Sequence, residues 1–173
     1  MIQNRLTTGL FWIGCALLLS ACSMFRVTDV NQRHSLIQTD LNQPHATVYF
    51  IRPQTEHPMG YPDNDLDVDV DGERLMELGK GEYTMVRVKP RDVTVTLRNR
   101  TQVRGRWELT EMARSQRFDF EAGQVYFVLA DMFNGEFRGV RFNPKPITLF
   151  EAKQAVRYLE PAGLARQHPI EKL

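Results

Sequence analysis

The chain of 173 residues is poor in cysteine, in histidine and in long apolar runs. Its two cysteines, Cys15 and Cys22, sit near the start, so the remainder can form no internal disulfide. The longest apolar run, Gly9 to Leu19, falls short of the roughly 20 residues that cross a bilayer as a helix. The four histidines, His34, His45, His57 and His168, show no metal-ligand spacing, which argues against a zinc site. The later serines, Ser23, Ser35 and Ser115, stand in no G-x-S-x-G and no serine-to-lysine motif, so hydrolases of those kinds are not supported. Charge excess is lacking too. Lys and Arg number 22 against 21 Asp and Glu, a balance unsuited to general nucleic-acid binding. Nothing in the sequence implies a cofactor.

What is present begins with an export signal over residues 1–21: a short n-region with Arg5, the apolar run, and small residues before Cys22. Leu19-Ser20-Ala21-Cys22 resembles the lipobox of bacterial lipoproteins. The resemblance implies that Cys22 carries a diacylglyceryl thioether, becomes the N-terminus after cleavage and is N-acylated. The alternative, a plain signal peptidase site, leaves Cys22 as a lone thiol in an oxidising compartment. Two or three acyl chains exceed the single chain that binds only marginally, so the anchor is stable and the membrane is the first expected partner. By the same resemblance, Ser23 in place of Asp favours the outer membrane, with the domain facing the periplasm.

Residues 22–44 have scattered apolar side chains and no sustained period, which reads as a tether of about 25 to 30 Å with a short helix around "VNQRHSLIQ" as an option. From residue 45 the signals are strands and turns. "ATVYFIR" suits a strand buried on both faces and stops at Pro53. "LDVDV" alternates, Asp71-Gly72 is a hairpin signal, and "ERLMEL" continues. "YTMVRV", "VTVTL", "RSQRFDF", "VYFVLA" and "EFRGVRF" follow, punctuated at Pro90-Arg91-Asp92, "EAGQ" and Asn134-Gly135. The pattern predicts a mainly β fold: an antiparallel β-sandwich of about seven to eight strands over residues 45–160, closed by one C-terminal helix. Thr148 and Glu151 form a capping box, and Leu149, Ala152, Val156 and Leu159 share a helical face before Pro161 and Gly163. Residues 161–173 read as a loosely held tail.

The stretch "DNDLDVDVDG" has aspartate at every second position from Asp63 to Asp71. A calcium loop starting at Asp67 would take ligands from Asp67, Asp69 and Asp71 with Gly72 at the sixth position. It lacks the bidentate Glu, because the twelfth position is Leu78. Same-face residues on a strand also lie about 6.8 Å apart, too far for several carboxylates to converge on one ion. The strand reading, with Leu66, Val68 and Val70 inward and the aspartates outward, is therefore preferred. A calcium-responsive domain is the alternative.

Arg98, Arg100, Arg104 and Arg106 are candidates for an anionic partner, either an envelope protein or an anionic glycolipid, because guanidinium forks suit carboxylate and phosphate. The plainer reading makes them a solvated loop or intramolecular partners of the acidic strand. Glu108, Glu111 and the acidic strand are the only residues to which an envelope hydrolase could be assigned, and a non-enzymatic module is preferred. Tyr49, Phe50, Phe118, Phe120, Tyr126 and Phe127 are expected in the core. Phe133 and Phe137 could form an exposed rim.

The succession "ATVYFIR", "VDVDG", "GEYTMVRVKP", "VTVTL", "FEAGQVYFV" and "AVRYL" resembles the DUF2846 family of short bacterial lipoproteins and secreted domains. Related prealbumin-like sandwich modules of the PEGA type share the rhythm. The resemblance covers residues 46–160 and implies a β-sandwich; it brings no catalytic residues. Pro90-Arg91-Asp92 stands where such modules commonly have Pro-Gly. The reading that follows is a lipid-anchored envelope protein acting as a non-enzymatic accessory or interaction module.

Overall fold

The structure, a computed structural model, describes residues 28–54, 66–103, 108–135 and 139–173. In chain order the described elements are β1 (Asp29–Val30), β2 (Ala46–Arg52), β3 (Leu66–Val70), β4 (Glu73–Glu77), β5 (Glu82–Val88), β6 (Arg91–Gln102), β7 (Leu109–Phe120), β8 (Val125–Gly135), β9 (Gly139–Ile147), α1 (Leu149–Ala155) and β10 (Glu160–Gly163). Two five-stranded sheets face each other. The first runs β1-β4-β3-β6-β7 and the second β10-β5-β2-β8-β9.

The β-sandwich with a C-terminal helix is as the sequence predicts, with two refinements. The described strands number ten, because short strands form at Asp29–Val30 and Glu160–Gly163 outside the apolar runs. The second sheet is mixed: β2 pairs β8 and β10 pairs β5 in parallel. The excursion through β3 and β4 in the first sheet returns the chain at β5, antiparallel to β2. The parallel pairs form later, β8 beside β2 after β6 and β7 are laid down in the first sheet, and β10 beside β5 after β9 and α1. The turn at "EAGQ" likewise carries the chain from β7 in the first sheet to β8 in the second.

Strand β2 lies at the centre of the second sheet and is buried on both faces, as its unbroken apolar run requires. Val48 and Phe50 enter the core between the sheets with Val68, Leu75, Val95, Leu97 and Phe142. Tyr49 and Ile51 enter a second core with Tyr83, Met85 and Phe127, roofed by Ala152, Val156, Ala165 and Ile170. Arg52 ends the strand fully buried. Its Nη1–H donates to the Leu78 carbonyl at 2.8 Å, and its guanidinium lies 5.4 Å from the Phe142 ring centre.

The hairpin at Asp71-Gly72 has φ of 51° and 86° at its two central residues, the conformation a two-residue turn between twisted strands needs. The capping box of α1 forms: Glu151 N–H donates to Thr148 Oγ1 at 3.2 Å and Thr148 N–H donates to the Glu151 carboxylate at 2.8 Å. The backbone and side-chain bonds from Thr148 hold Glu151 below the usual carboxylate range. The helix is shorter than its apolar spacing suggests and ends at Val156, its C-cap.

Both ends of the described chain depart from the expected tether and tail. From Thr28 onward the N-terminal segment packs on the sandwich: β1 pairs β4, Leu36 and Ile37 are buried, and Ile37 bridges to Val88. No helix forms around Asn31–Gln38. The Leu36 N–H instead donates to Nδ1 of buried His34. At the other end, Tyr49 OH donates to the His168 carbonyl at 2.8 Å and Tyr83 OH to Glu171 at 2.9 Å, so residues 160–173 are fastened over the second core. Burial first, and then Glu171, push the Tyr83 hydroxyl well above its ordinary range.

Candidate functional site

The solvent face of the first sheet carries the acidic and basic residues singled out by the sequence, and strand pleating explains how they meet. Leu66, Val68 and Val70 point into the core, which leaves Asp67 and Asp69 on the outer face. Antiparallel register sets Asp67 opposite Arg98 and Arg100 opposite Glu111. Each described aspartate of the acidic stretch, Asp67, Asp69 and Asp71, has its own arginine. Arg74 Nε is 2.9 Å from Asp67, Arg98 Nη2 bonds Asp69, and Arg91 Nη2 is 3.2 Å from Asp71, whose other oxygen accepts the Thr94 N–H. Arg74 also reaches Glu77 at 2.8 Å, and Arg98 Nη1 lies 3.9 Å from Glu111.

Between these side chains is a groove of about 300 Å³ lined by Asp67, Arg74, Glu77, Arg98, Arg100 and Glu111. Its charges alternate. Burial raises the Asp67 pKa and Arg74 opposes the rise, with Asp69 and Glu77 adding to it. Arg98 therefore behaves as an intramolecular partner of the acidic strand, as do Arg74 and Arg91, and guanidinium groups stand between the carboxylates. Among the described residues no three His, Cys, Asp or Glu lie close enough to hold a metal ion. Arg100 is exposed, and Glu111 is exposed on β7; Glu108 is exposed just before that strand. Cys22, Asp63, Asp65, Arg104, Arg106 and Phe137 lie outside the described residues.

The aromatic expectations divide in the same way. Tyr49 and Phe127 stack at 5.5 Å between ring centres, and Phe120 meets Phe118 at 5.7 Å and Tyr126 at 5.0 Å, all as packing. Phe133 is exposed, with the Arg141 guanidinium 4.2 Å from its ring centre.

A second concavity was not legible in the sequence. It is a cleft of about 300 Å³ at the outer edge of the second sheet, between residues 30–41, β5 and Gly163-Leu164. Among the described residues Arg87 contributes its only charged side chain. Strand alternation puts Arg87 on the same face as Tyr83 and Met85, where its charge opposes the burial-driven rise of the Tyr49 hydroxyl. The one signal available was an arginine inside the otherwise apolar strand "YTMVRV". Its walls come from segments that read as tether and tail, more than a hundred residues apart.

No curated protein and no solved structure matches the chain. The family model described as "Protein of unknown function (DUF2846)" matches residues 42–141, from before β2 into β9. That is more than half of the chain, and the chain belongs to the DUF2846 family.

Proposed function

We propose that this protein is a lipid-anchored component of the bacterial envelope, held through Cys22, that works as a non-enzymatic accessory or interaction module. The observation that carries the reading is the lipobox-like Leu19-Ser20-Ala21-Cys22 standing six residues before Thr28, the first described residue, which is already packed on the sandwich. Six residues span at most about 20 Å. The domain is then held close against the membrane, with the Thr28 end nearest the lipid. Thr28 N–H and Oγ1–H donate to Glu82 at 2.8 and 2.7 Å, so the chain is fixed to the sandwich from its first described residue. Ser23 after the cysteine favours the outer membrane, with the domain facing the periplasm.

The surface available to a partner is the charged outer face of the first sheet. Arg98 is occupied by Asp69, so exposed Arg100 is the better contact for an anionic envelope protein or glycolipid. Intact-mass analysis of the protein from membranes, beside Cys22→Ala, tests the anchor: an acylated N-terminal Cys22, and soluble protein from the variant, are expected. An unmodified N-terminus at any other residue would refute it. In-cell cross-linking with Arg100→Ala alongside tests the surface. Loss of one specific cross-linked product is expected, and an unchanged pattern would remove Arg100 from the interface.

A further inference from the structure

The cleft on the second sheet lies where β5 is left uncovered. β10 pairs with β5 only as far as Met85, and the chain covers it again where Gln38 N–H donates to the Arg87 carbonyl at 2.9 Å. In the gap between these two covers, Val30, Ile37, Leu41 and Leu164 supply apolar walls. Arg87 is half-buried there. Among the described residues its guanidinium has neither a hydrogen bond nor an ion pair, whereas Arg74, Arg91 and Arg98 each hold a carboxylate. A half-buried guanidinium beside an apolar cleft, with no carboxylate of the described residues upon it, is an incomplete pair.

We infer that this cleft binds a small monocarboxylate with an unbranched apolar tail, the carboxylate on Arg87 and the tail along Val30, Ile37, Leu41 and Leu164. A single cation matches a single negative charge, and the planar fork of arginine matches the two oxygens of a carboxylate. The volume, near the lower end for ligand pockets, admits roughly ten non-hydrogen atoms. Octanoate has that size and shape. The two segments that wall the cleft lie outside the stretch matched by the family, whereas Arg87 and its strand β5 lie inside it.

The test is calorimetric titration of the full-length protein in detergent with octanoate, and with octan-1-ol as the neutral analogue. Saturable binding of about one equivalent is expected, at least tenfold weaker for octan-1-ol and for Arg87→Gln. Leu41→Ser, at a position 61 % exposed and so tolerant of change, is expected to weaken octanoate several-fold. Arg87→Lys keeps the charge but not the fork and should fall between wild type and Arg87→Gln. Equal octanoate binding by wild type and Arg87→Gln overturns the inference. So does the absence of saturable binding at about 1 mM, a concentration corresponding to roughly 4 kcal/mol of binding. Should Arg87→Gln lower the melting temperature, Leu41→Ser and the octan-1-ol comparison carry the test. The outcome is independent of the lipid anchor, because Cys22 takes no part in it.

Discussion

Replacing Arg98 by Met leaves the Asp69 carboxylate without its counter-charge at a place where water cannot substitute. The Asp69 side chain is 6 % exposed against 35 % for Arg98, so the two partners are unequally placed. Breaking a buried pair by removing one member costs about 3 to 5 kcal/mol. The partial exposure of Arg98 argues for the lower end, and Arg98→Met should cost about 3 kcal/mol, or about 6 to 12 °C in melting temperature for a domain of this size. Asp69→Asn should cost only about 1 kcal/mol, because the freed guanidinium can turn toward water and toward Glu111, 3.9 Å away. The double variant Arg98→Met/Asp69→Val puts two apolar side chains on the pleated face and should lie within about 1 kcal/mol of wild type. Urea unfolding measures all four proteins, and an unchanged slope licenses the comparison. A loss below about 1 kcal/mol for Arg98→Met, or a double variant no more stable than Arg98→Met alone, would refute the account of this pair.

Two further predictions concern the fastening of the C-terminal segment and the sheet edge. Burial and Glu171 raise the Tyr83 hydroxyl above its ordinary value, so above about pH 10 the unfolded chain releases a proton that the folded one keeps. Stability should fall as pH rises from there, and Tyr83→Phe, about 1 kcal/mol weaker at neutral pH, should fall less steeply in alkaline melts; parallel curves would contradict the assignment. Arg114 lies opposite Leu97 and therefore on the inward face of β7, yet it is exposed on a twelve-residue edge strand. An inward charge of this kind blocks edge pairing, and Arg114→Val should raise self-association in sedimentation velocity, whereas unchanged sedimentation would remove that role. The opposite arrangement protects β9, where Pro144 and Pro146 have no N–H to offer a neighbour.

Much of the sandwich was legible because its signals are local. "ATVYFIR" is apolar on both faces and lies at the centre of a sheet covered on both sides. The Asp-Gly pair demands positive φ, and the capping box needs only Thr148 and Glu151. The docked ends were illegible for the converse reason. Each contributes three buried side chains, His34, Leu36 and Ile37 at one end and Ala162, Ala165 and Ile170 at the other, with no period to mark them. A basic partner for the acidic strand was legible in the stretch that holds Arg98, but Arg74 and Arg91, which hold Asp67 and Asp71, lie outside that stretch, and register is a property of two strands together. Arg87 was invisible as a site because the cleft exists only once both ends have docked.

The roof of the second core has a consequence for how the fold comes into being. A chain made or delivered N-terminus first completes both sheets, apart from short β10, by residue 147, while Tyr49, Ile51, Tyr83, Met85 and Phe127 wait for residues 152 to 170 to cover them. Until then one sheet shows a greasy face to its surroundings. A version cut at residue 141, where the family match stops, would break β9 and keep that face bare permanently. Residues 152–170 are thus the latch whose arrival closes the sticky face of the intermediate.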